Sequence, residues 1–112
     1  MDKLDHYRDI IERELTEILG GSEQPDDDLR DKTVFDRRSD YYLILREGWV
    51  GPRHIHSPVV SLEIRAGKVW LQADRTNLRI AQRLEDAGIP KSEIVLGFQP
   101  PSVRPYTEYA VA

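Results

Sequence analysis

The spacing of apolar residues changes along this chain, and the change constrains the fold more than any other feature. Up to about residue 20, apolar residues recur at steps of three or four, which places them on one face of an α-helix. From Leu29 onward they alternate with polar residues, which is typical of half-buried β-strands. The helical set is Leu4, Tyr7, Ile11, Leu15 and Ile18. One amphipathic helix followed by strands of this kind predicts a sheet with a helix packed on its apolar face.

The alternating segment is predicted to form two hairpins. The turn of the first lies at residues 37–39, between strands marked by Thr33 and Phe35 on one side and by Tyr41, Leu43 and Leu45 on the other. A loop is expected around Gly48, Gly51 and Pro52. The second hairpin turns at Ala66 and Gly67, between a strand marked by Val60, Leu62 and Ile64 and a strand over residues 68–72.

A second helix is expected after the hairpins. Asp2 is the predicted cap of the first helix, and Asp74 or Thr76 is the predicted cap of the second. The apolar face of the second helix consists of Leu78, Ala81, Leu84 and Ala87. This helix is predicted to stop at Gly88 and Pro90. Residues 94–98 read as a short buried strand or apolar segment, and Pro100-Pro101 predicts an extended tail. The expected fold is therefore α+β: an antiparallel sheet of about four strands, covered by the two helices, in a single domain over residues 1–112.

Composition excludes several classes of protein. The chain has 112 residues and no cysteine, which excludes disulfide scaffolds, thiolate metal sites and cysteine nucleophiles. The 16 basic and 20 acidic residues give a net charge of −4, with the excess of acids in the first 31 residues, so nonspecific coating of nucleic acid is not favoured. Without a long apolar run and with a charged N-terminal segment, we expect a cytoplasmic protein that does not enter membranes.

Two groups of residues are candidates for binding a partner or DNA. Arg75, Arg79 and Arg83 recur every four residues and would form a basic stripe along the second helix, suited to phosphates or to an acidic patch. The alternative is an ordinary solvated face. Arg104 and Tyr106 lie among rigid prolines in the tail, which we expect to dock on its own domain or on a second subunit.

No arrangement typical of an enzyme is present. His54 and His56 fall on the same side of a strand, but they supply only two metal ligands. The acidic run at residues 26–28 is typical of a solvated connector, and a hydrolase using this run, Asp36 or Asp74 is the least favoured reading. The aromatic residues Tyr41, Tyr42, Trp49 and Trp70 could stack on bases, although such rings more often belong to a core. We therefore expect no catalytic residues, metal or cofactor.

The second half of the chain resembles one known family. The matching segments are residues 67–72 (GKVWLQ), 87–91 (AGIPK), 94–98 (IVLGF), Pro100-Pro101, Val103-Arg104 and residues 106–111 (YTEYAV). Looser matches in the first half are Tyr7-Arg8, Phe35-Asp36, Tyr42-Leu43, Gly48-Trp49 and Arg53. Together these segments are similar to the XisI family of element-excision controlling factors, over essentially the whole chain.

The resemblance implies a small α+β protein of cyanobacterial type, linked to excision of a DNA element by recombination during heterocyst differentiation. It also implies an XisH-like companion protein and brings no catalytic residues. The first hypothesis is a noncatalytic accessory protein that controls the recombination machinery by binding a protein partner. The second is direct DNA binding through the arginine stripe. Self-association is also expected, because a second copy can complete a small sheet that has free edges.

Overall fold

The first helix forms as the sequence predicts. The structure is a computed structural model that describes residues 2–21 and 28–112. Helix α1 spans Lys3–Gly21, and the backbone N–H of Leu4 donates to the Asp2 carboxylate, so the predicted N-cap is confirmed. The buried face of α1 is formed by Tyr7, Ile10, Ile11 and Leu15. Residues 22–27, which hold most of the expected acidic loop, lie outside the described residues.

Five strands form one sheet in the order β1-β2-β3-β4-β5. Their bounds are Leu29–Asp36 for β1, Tyr41–Val50 for β2, Arg53–Arg65 for β3, Lys68–Asp74 for β4 and Ile94–Leu96 for β5. The first four strands pair as two antiparallel hairpins that share the β2–β3 ladder, which confirms the predicted hairpins. The apolar segment after the second helix becomes the fifth strand, and it pairs parallel to β4.

The three residues that mark β2 in the sequence, Tyr41, Leu43 and Leu45, do not lie in the core. Tyr42 and Ile44 are buried, whereas Tyr41 is exposed and Leu43 and Leu45 are only half-buried. The β1–β2 turn includes Asp40, which adopts a left-handed conformation with φ 56°, so Asp36 pairs with Tyr41. Because side chains alternate between the two faces, the buried set consists of the even-numbered residues of this strand.

The predicted loop around Gly48 and Pro52 is much shorter than expected. Strands β2 and β3 stay paired as far as Val50 and Arg53, and only Gly51 and Pro52 lie between them. Strand β4 pairs with β3 only from Val60 onward. The outer half of β3, residues 53–59, therefore pairs with β2 alone, and we call this end of the sheet, which β1, β2 and β3 form without β4, the arm.

The second helix starts later than predicted. Asp74 and Thr76 form a local turn, in which Asp74 Oδ1 accepts from the N–H and hydroxyl of Thr76. Helix α2 spans only Ile80–Ala87, and the residue before it, Arg79, is left-handed with φ 54°. The predicted stop is confirmed, because Gly88 caps the helix with φ 119° and its N–H donates to the Glu85 carbonyl.

Both helices pack on the same face of the sheet. The core between them and the sheet is formed by side chains of α1, α2 and all strands except β1, namely Tyr7, Ile10, Ile11, Leu15, Tyr42, Ile44, Val60, Leu62, Ile64, Val69, Leu71, Ile80, Leu84, Ile89 and Ile94. Phe35 of β1 packs against this core and contacts Tyr42, with 6.0 Å between ring centres.

None of the described helices is long and apolar enough to cross a membrane.

The C-terminal tail does not take the predicted extended path. It turns after the two prolines, and residues 104–106 form a short 3-10 helix. A proline φ near −65° suits a turn as well as an extended chain, so the proline pair alone does not decide between them. The N–H of Val103 donates to the Pro100 carbonyl and closes the turn. The tail then returns to β5, where the Ala110 N–H donates to the Ile94 carbonyl.

Candidate partner-binding surface

The sheet has a second face that the helices do not cover. Tyr42 and Ile44 enter the core under the helices, so their neighbours Tyr41, Leu43 and Leu45 must point to the opposite side. Residues paired across antiparallel strands share a face, which extends this side to β1, β3 and β4. We call this side the open face.

An apolar patch lies at the centre of the open face. It consists of Val34 on β1 and of Tyr41, Leu43 and Leu45 on β2. Val34 sits directly opposite Leu43 and is 42% exposed, and Tyr41 is 36% exposed. Exposed apolar side chains that are contiguous on a rigid sheet are typical of an interaction surface.

Charged side chains border the apolar patch towards the arm. Lys32 lies opposite Leu45, and its ammonium is 2.8 Å from the carboxylate of Glu47. The hydrogen bond from Lys32 lowers the pKa of Glu47, so this pair is ionised at neutral pH. A charged rim around an apolar centre is the usual arrangement of a protein–protein interface.

The other border of the patch is built around Trp70 of β4. Tyr41, Glu63 and Trp70 form one row across β2, β3 and β4. The guanidinium carbons of Arg65 and Arg104 lie 3.8 Å and 5.2 Å from the centre of the Trp70 ring. We call Arg65, Trp70 and Arg104 the tryptophan corner.

Hydrogen bonds of the tail hold Arg104 in this corner. Arg104 Nε donates to the carbonyl of Gln99, 3.0 Å away, across the turn that the prolines form. Further along, the Tyr109 hydroxyl donates to the Glu85 carboxylate of α2 at 2.8 Å. Burial and this hydrogen bond raise the pKa of Tyr109 to about 12. Tyr106, in contrast, is 89% exposed, so the tail anchors one tyrosine and presents the other.

The predicted arginine stripe does not form. Only Arg83 lies on α2; Arg79 precedes the helix in a left-handed conformation, and Arg75 follows β4, where its N–H donates to the carbonyl of Val59. The helix starts late because the turn of Asp74 and Thr76 uses the residues that were expected to cap it. Arg83 turns towards α1 and approaches Glu14 to 3.3 Å and Glu17 to 3.9 Å. The three side chains therefore do not share one helix face.

The two histidines of the arm belong to a row of stacked rings. Trp49 and His54 have ring centres 4.7 Å apart, and His54 and His56 have theirs 6.2 Å apart. Trp49 is exposed, so this ring is available to a partner. In the part of the chain that the structure describes, no three His, Cys, Asp or Glu side chains are placed to hold one metal ion.

The aspartates considered for hydrolysis have local structural roles. The Asp36 carboxylate accepts from the hydroxyl of Ser39 and the N–H of Arg38, and these hydrogen bonds lower its pKa. Asp74 holds the turn before α2 in the same way. Of the acidic run at residues 26–28, only Asp28 is described, and its carbonyl accepts from the N–H of Trp49.

Comparison with known proteins agrees with this architecture. The model of the XisI protein family matches residues 1–111. The chain belongs to the XisI family. The crystal structure of the fdxN element excision controlling factor XisI from Anabaena variabilis is similar with a TM-score of 0.88 and 39% sequence identity, covering 99% of this chain and 100% of that one.

A second XisI relative of known structure has the same fold. The crystal structure of a XisI-like protein from Anabaena variabilis matches with a TM-score of 0.91 and 34% identity over 98% of this chain and 100% of that chain. No curated protein matches the sequence. The resemblance to XisI seen in the sequence and the α+β fold are thereby confirmed.

The structure places Arg104, one of the predicted candidates, beside Trp70 and leaves Tyr106, another, exposed on the same tail. Sequence reasoning singled out both residues as candidates for binding a partner or DNA. It did not connect them with Arg65, although a signal was present, because Arg65 and Trp70 flank the tight turn at Ala66 and Gly67. It also placed Tyr41 and Leu43 in the strand pattern without assigning them to an exposed face.

Proposed function

We propose that this XisI protein is a noncatalytic control factor that binds a protein partner through the open face of its sheet. In this proposal it regulates excision of a DNA element by acting on the recombination machinery. The partner expected from the family is an XisH-like companion protein. DNA contact is then indirect and made by the partner.

The observation that supports this function is the apolar patch on the open face. A two-layer fold buries one sheet face under its helices, and the other face is normally polar when it meets only water. Here Val34, Tyr41, Leu43 and Leu45 stand together on that other face. Burial of such side chains against a partner removes apolar surface from water, at about 25 cal/mol per Å².

Direct DNA binding is the weaker alternative. It rested on the arginine stripe, and Arg75, Arg79 and Arg83 do not lie on one helix face. Arg83 is within ion-pair distance of two glutamates, which reduces its value for phosphates. A net charge of −4 also opposes the approach of a polyanion.

The test is affinity capture of partners from an extract of the source cells. Tagged protein is incubated with extract that has been treated with nuclease and with untreated extract, and retained proteins are identified by mass spectrometry. We expect the same partner in both halves. A double variant, Val34→Glu with Tyr41→Glu, should lose it, because the two charges would be buried without partners.

A matched control uses an exposed apolar residue on the helix side. Leu78 is 43% exposed, much like Val34, so Leu78→Glu places one glutamate outside the open face and is matched to Val34→Glu alone, which should itself weaken capture. The Leu78→Glu variant should retain the partner. Loss of all partners after nuclease treatment would contradict the proposal and favour DNA as the ligand. Full retention of the partner by the double variant would also contradict the proposal, because the open face would not be the docking surface.

Self-association stays a prediction, and it concerns the same surface. Strand β1 lies at one end of the described sheet, whereas the tail of the same chain bonds to β5 on its outer side. A second copy is therefore expected at β1 or on the open face rather than at β5. Light scattering at several concentrations gives the mass in solution, and a monomer throughout would remove this idea.

A further inference from the structure

We infer that the tryptophan corner is a carboxylate-binding site, which receives an acidic side chain from the protein partner. This inference rests on the proposed partner-binding function and names the chemistry that the partner must offer. Three observations support it: two guanidiniums that contact one indole, an indole N–H without an acceptor among the described residues, and exposed apolar side chains on the tail that carries Arg104.

The first observation is the position of two positive charges. The guanidinium carbons of Arg65 and Arg104 lie 3.8 Å and 5.2 Å from the centre of the Trp70 ring, so two positive charges contact one indole. The carboxylate nearest to Arg65 is that of Glu63, 3.8 Å from Nη1, which is beyond hydrogen-bond distance. Among the described residues, no carboxylate forms an ion pair with Arg104; its Nε donates to the Gln99 carbonyl.

The existing acid cannot neutralise both arginines. Glu63 already accepts a hydrogen bond from the Gln72 amide at 3.2 Å, and it brings one negative charge to a corner with two positive ones. A second carboxylate supplied from outside would balance the charge. Guanidiniums bind carboxylates through two parallel hydrogen bonds, and each of the two arginines offers planar donors of this kind.

The second observation is the indole nitrogen of Trp70. The residue is only 7% exposed, and within the described residues its Nε1–H has no acceptor. Buried donors without acceptors are rare in folded proteins, because they lose a hydrogen bond to water without replacing it. Nε1 is enclosed in this structure, so an outside oxygen reaches it only when a covering side chain moves. Arg65 has the freedom to do so, since its side chain is 52% exposed.

The surroundings favour a carboxylate on a protein over the phosphates of DNA. Tyr106, Phe98 and Val103 are exposed on the same tail that carries Arg104. Tryptophan, tyrosine and arginine are the residue types that dominate binding energy at protein interfaces. Glu63 would repel a polyanionic backbone, whereas one carboxylate on an otherwise apolar segment avoids most of that repulsion.

The test uses the two indole N–H signals of the ¹⁵N-labelled protein in NMR. The sequence has two tryptophans, and Trp49→Phe assigns the signal of each. The probe is a capped eight-residue peptide of leucine and serine with one central glutamate, and the same peptide with glutamine at that position is its control. We expect the acidic peptide to move the Trp70 signal downfield to saturation, as the N–H gains an acceptor. The Trp49 signal should not respond to the peptide. Trp49 is eight residues along β2 from Tyr41, which at about 3.3 Å per residue places it about 26 Å from the row of Tyr41 and Trp70.

Variants of the same size separate binding from folding. Arg65→Gln and Arg104→Gln should each weaken the peptide at least about tenfold, the least expected for a lost charge-assisted hydrogen bond. Arg53→Gln removes the same charge from the exposed tip of the arm and should leave the affinity unchanged. The remaining backbone signals show whether each variant is folded.

Three outcomes would overturn the inference. These are an unmoved Trp70 signal at saturating peptide, an equal response to the glutamine peptide, and a response to duplex DNA in place of the peptide. The experiment uses purified protein only, so its failure is distinct from failure of the proposed function. Partner capture that persists while the corner binds no peptide would leave the open face as the docking surface without a carboxylate site.

Discussion

Arg8 of α1 and Asp40 of the β1–β2 turn form an ion pair with two hydrogen bonds, Nε to Oδ1 at 2.7 Å and Nη2 to Oδ2 at 3.0 Å. The same carboxylate accepts from the Tyr42 hydroxyl at 3.0 Å. This pair ties the first helix to the turn that sets which side chains of β2 face the core. Its loss should therefore weaken the packing of α1 on the sheet.

We expect Asp40→Asn to lower the free energy of unfolding by about 1–2 kcal/mol. This is the usual contribution of hydrogen bonds to a charged group, reduced because solvent partly screens the pair. Asparagine tolerates the left-handed backbone of this position, so the change removes charge without adding strain. Chemical denaturation measures the loss. Asp9→Asn, which affects an exposed pair with Arg37, is the control and should change stability very little.

The Asp40 pair also predicts a dependence of stability on pH. The hydrogen bond from Arg8 lowers the pKa of Asp40 in the folded protein below its unfolded value of about 3.9. The stabilisation is then fully present above that value and is lost as the pH falls through the lower folded pKa. Stability should decline less steeply below about pH 4 in Asp40→Asn than in the natural protein. Parallel declines would show that the pair does not contribute.

Two valines on opposite faces of the sheet test which face is the core. Val60 is fully buried under the helices, and Val34 is 42% exposed on the open face. Val60→Ala should cost about 1.5–3 kcal/mol, from lost transfer energy and the cavity that remains. Val34→Ala should cost less than about 0.5 kcal/mol in the isolated protein. Equal losses in thermal or denaturant unfolding would mean that the open face is covered.

Two glycines of the arm differ in the space around them. Gly48 has φ 140°, and an added Cβ would overlap the carbonyl oxygen of Asp28, whereas Gly51 has φ 58° and open surroundings. Gly48→Ala should cost at least about 2 kcal/mol, from strain and a forced shift of β1. Gly51→Ala should cost only about 1 kcal/mol. Comparable midpoints of unfolding for the two variants would show that β1 gives way easily at Asp28.

The scattered arginines give a prediction about DNA. Arg75, Arg79 and Arg83 changed together to alanine should leave partner capture unaltered and lower any weak retention of duplex DNA only slightly, because the three residues do not share one helix face. Fluorescence anisotropy with labelled DNA at low and moderate salt measures this directly. A large loss of affinity together with a shallower salt dependence would restore the DNA-binding alternative.

The sequence predicted the parts of the fold that depend on local periodicity. The helix face of Tyr7, Ile11 and Leu15, the turn at Ala66 and the glycine cap after α2 are all confirmed. These features follow from spacing and from the backbone preferences of a few residues. They do not require knowledge of what lies across the sheet.

The structure differs from the sequence-based predictions where the conformation depends on a single residue or on a contact between residues distant in sequence. Asp40 lengthens a turn by one residue and thereby fixes which side chains of β2 face the core. Asp74 accepts hydrogen bonds from Thr76, so neither residue caps a helix. Helix α2 therefore starts at Ile80, and Arg75 and Arg79 lie outside it. The tryptophan corner joins Arg65 to Arg104 through tertiary packing, which periodicity does not report.

The most direct test of the central claim is calorimetric titration of the purified protein with a purified XisH-like companion, at low salt and again at moderate salt. We predict binding that changes little with salt, because an apolar interface releases few counterions. Val34→Glu with Tyr41→Glu should abolish the heat of binding, and Leu78→Glu should preserve it. No binding by the natural protein, or binding that the double variant retains in full, would contradict the assignment of the open face as the partner-binding surface.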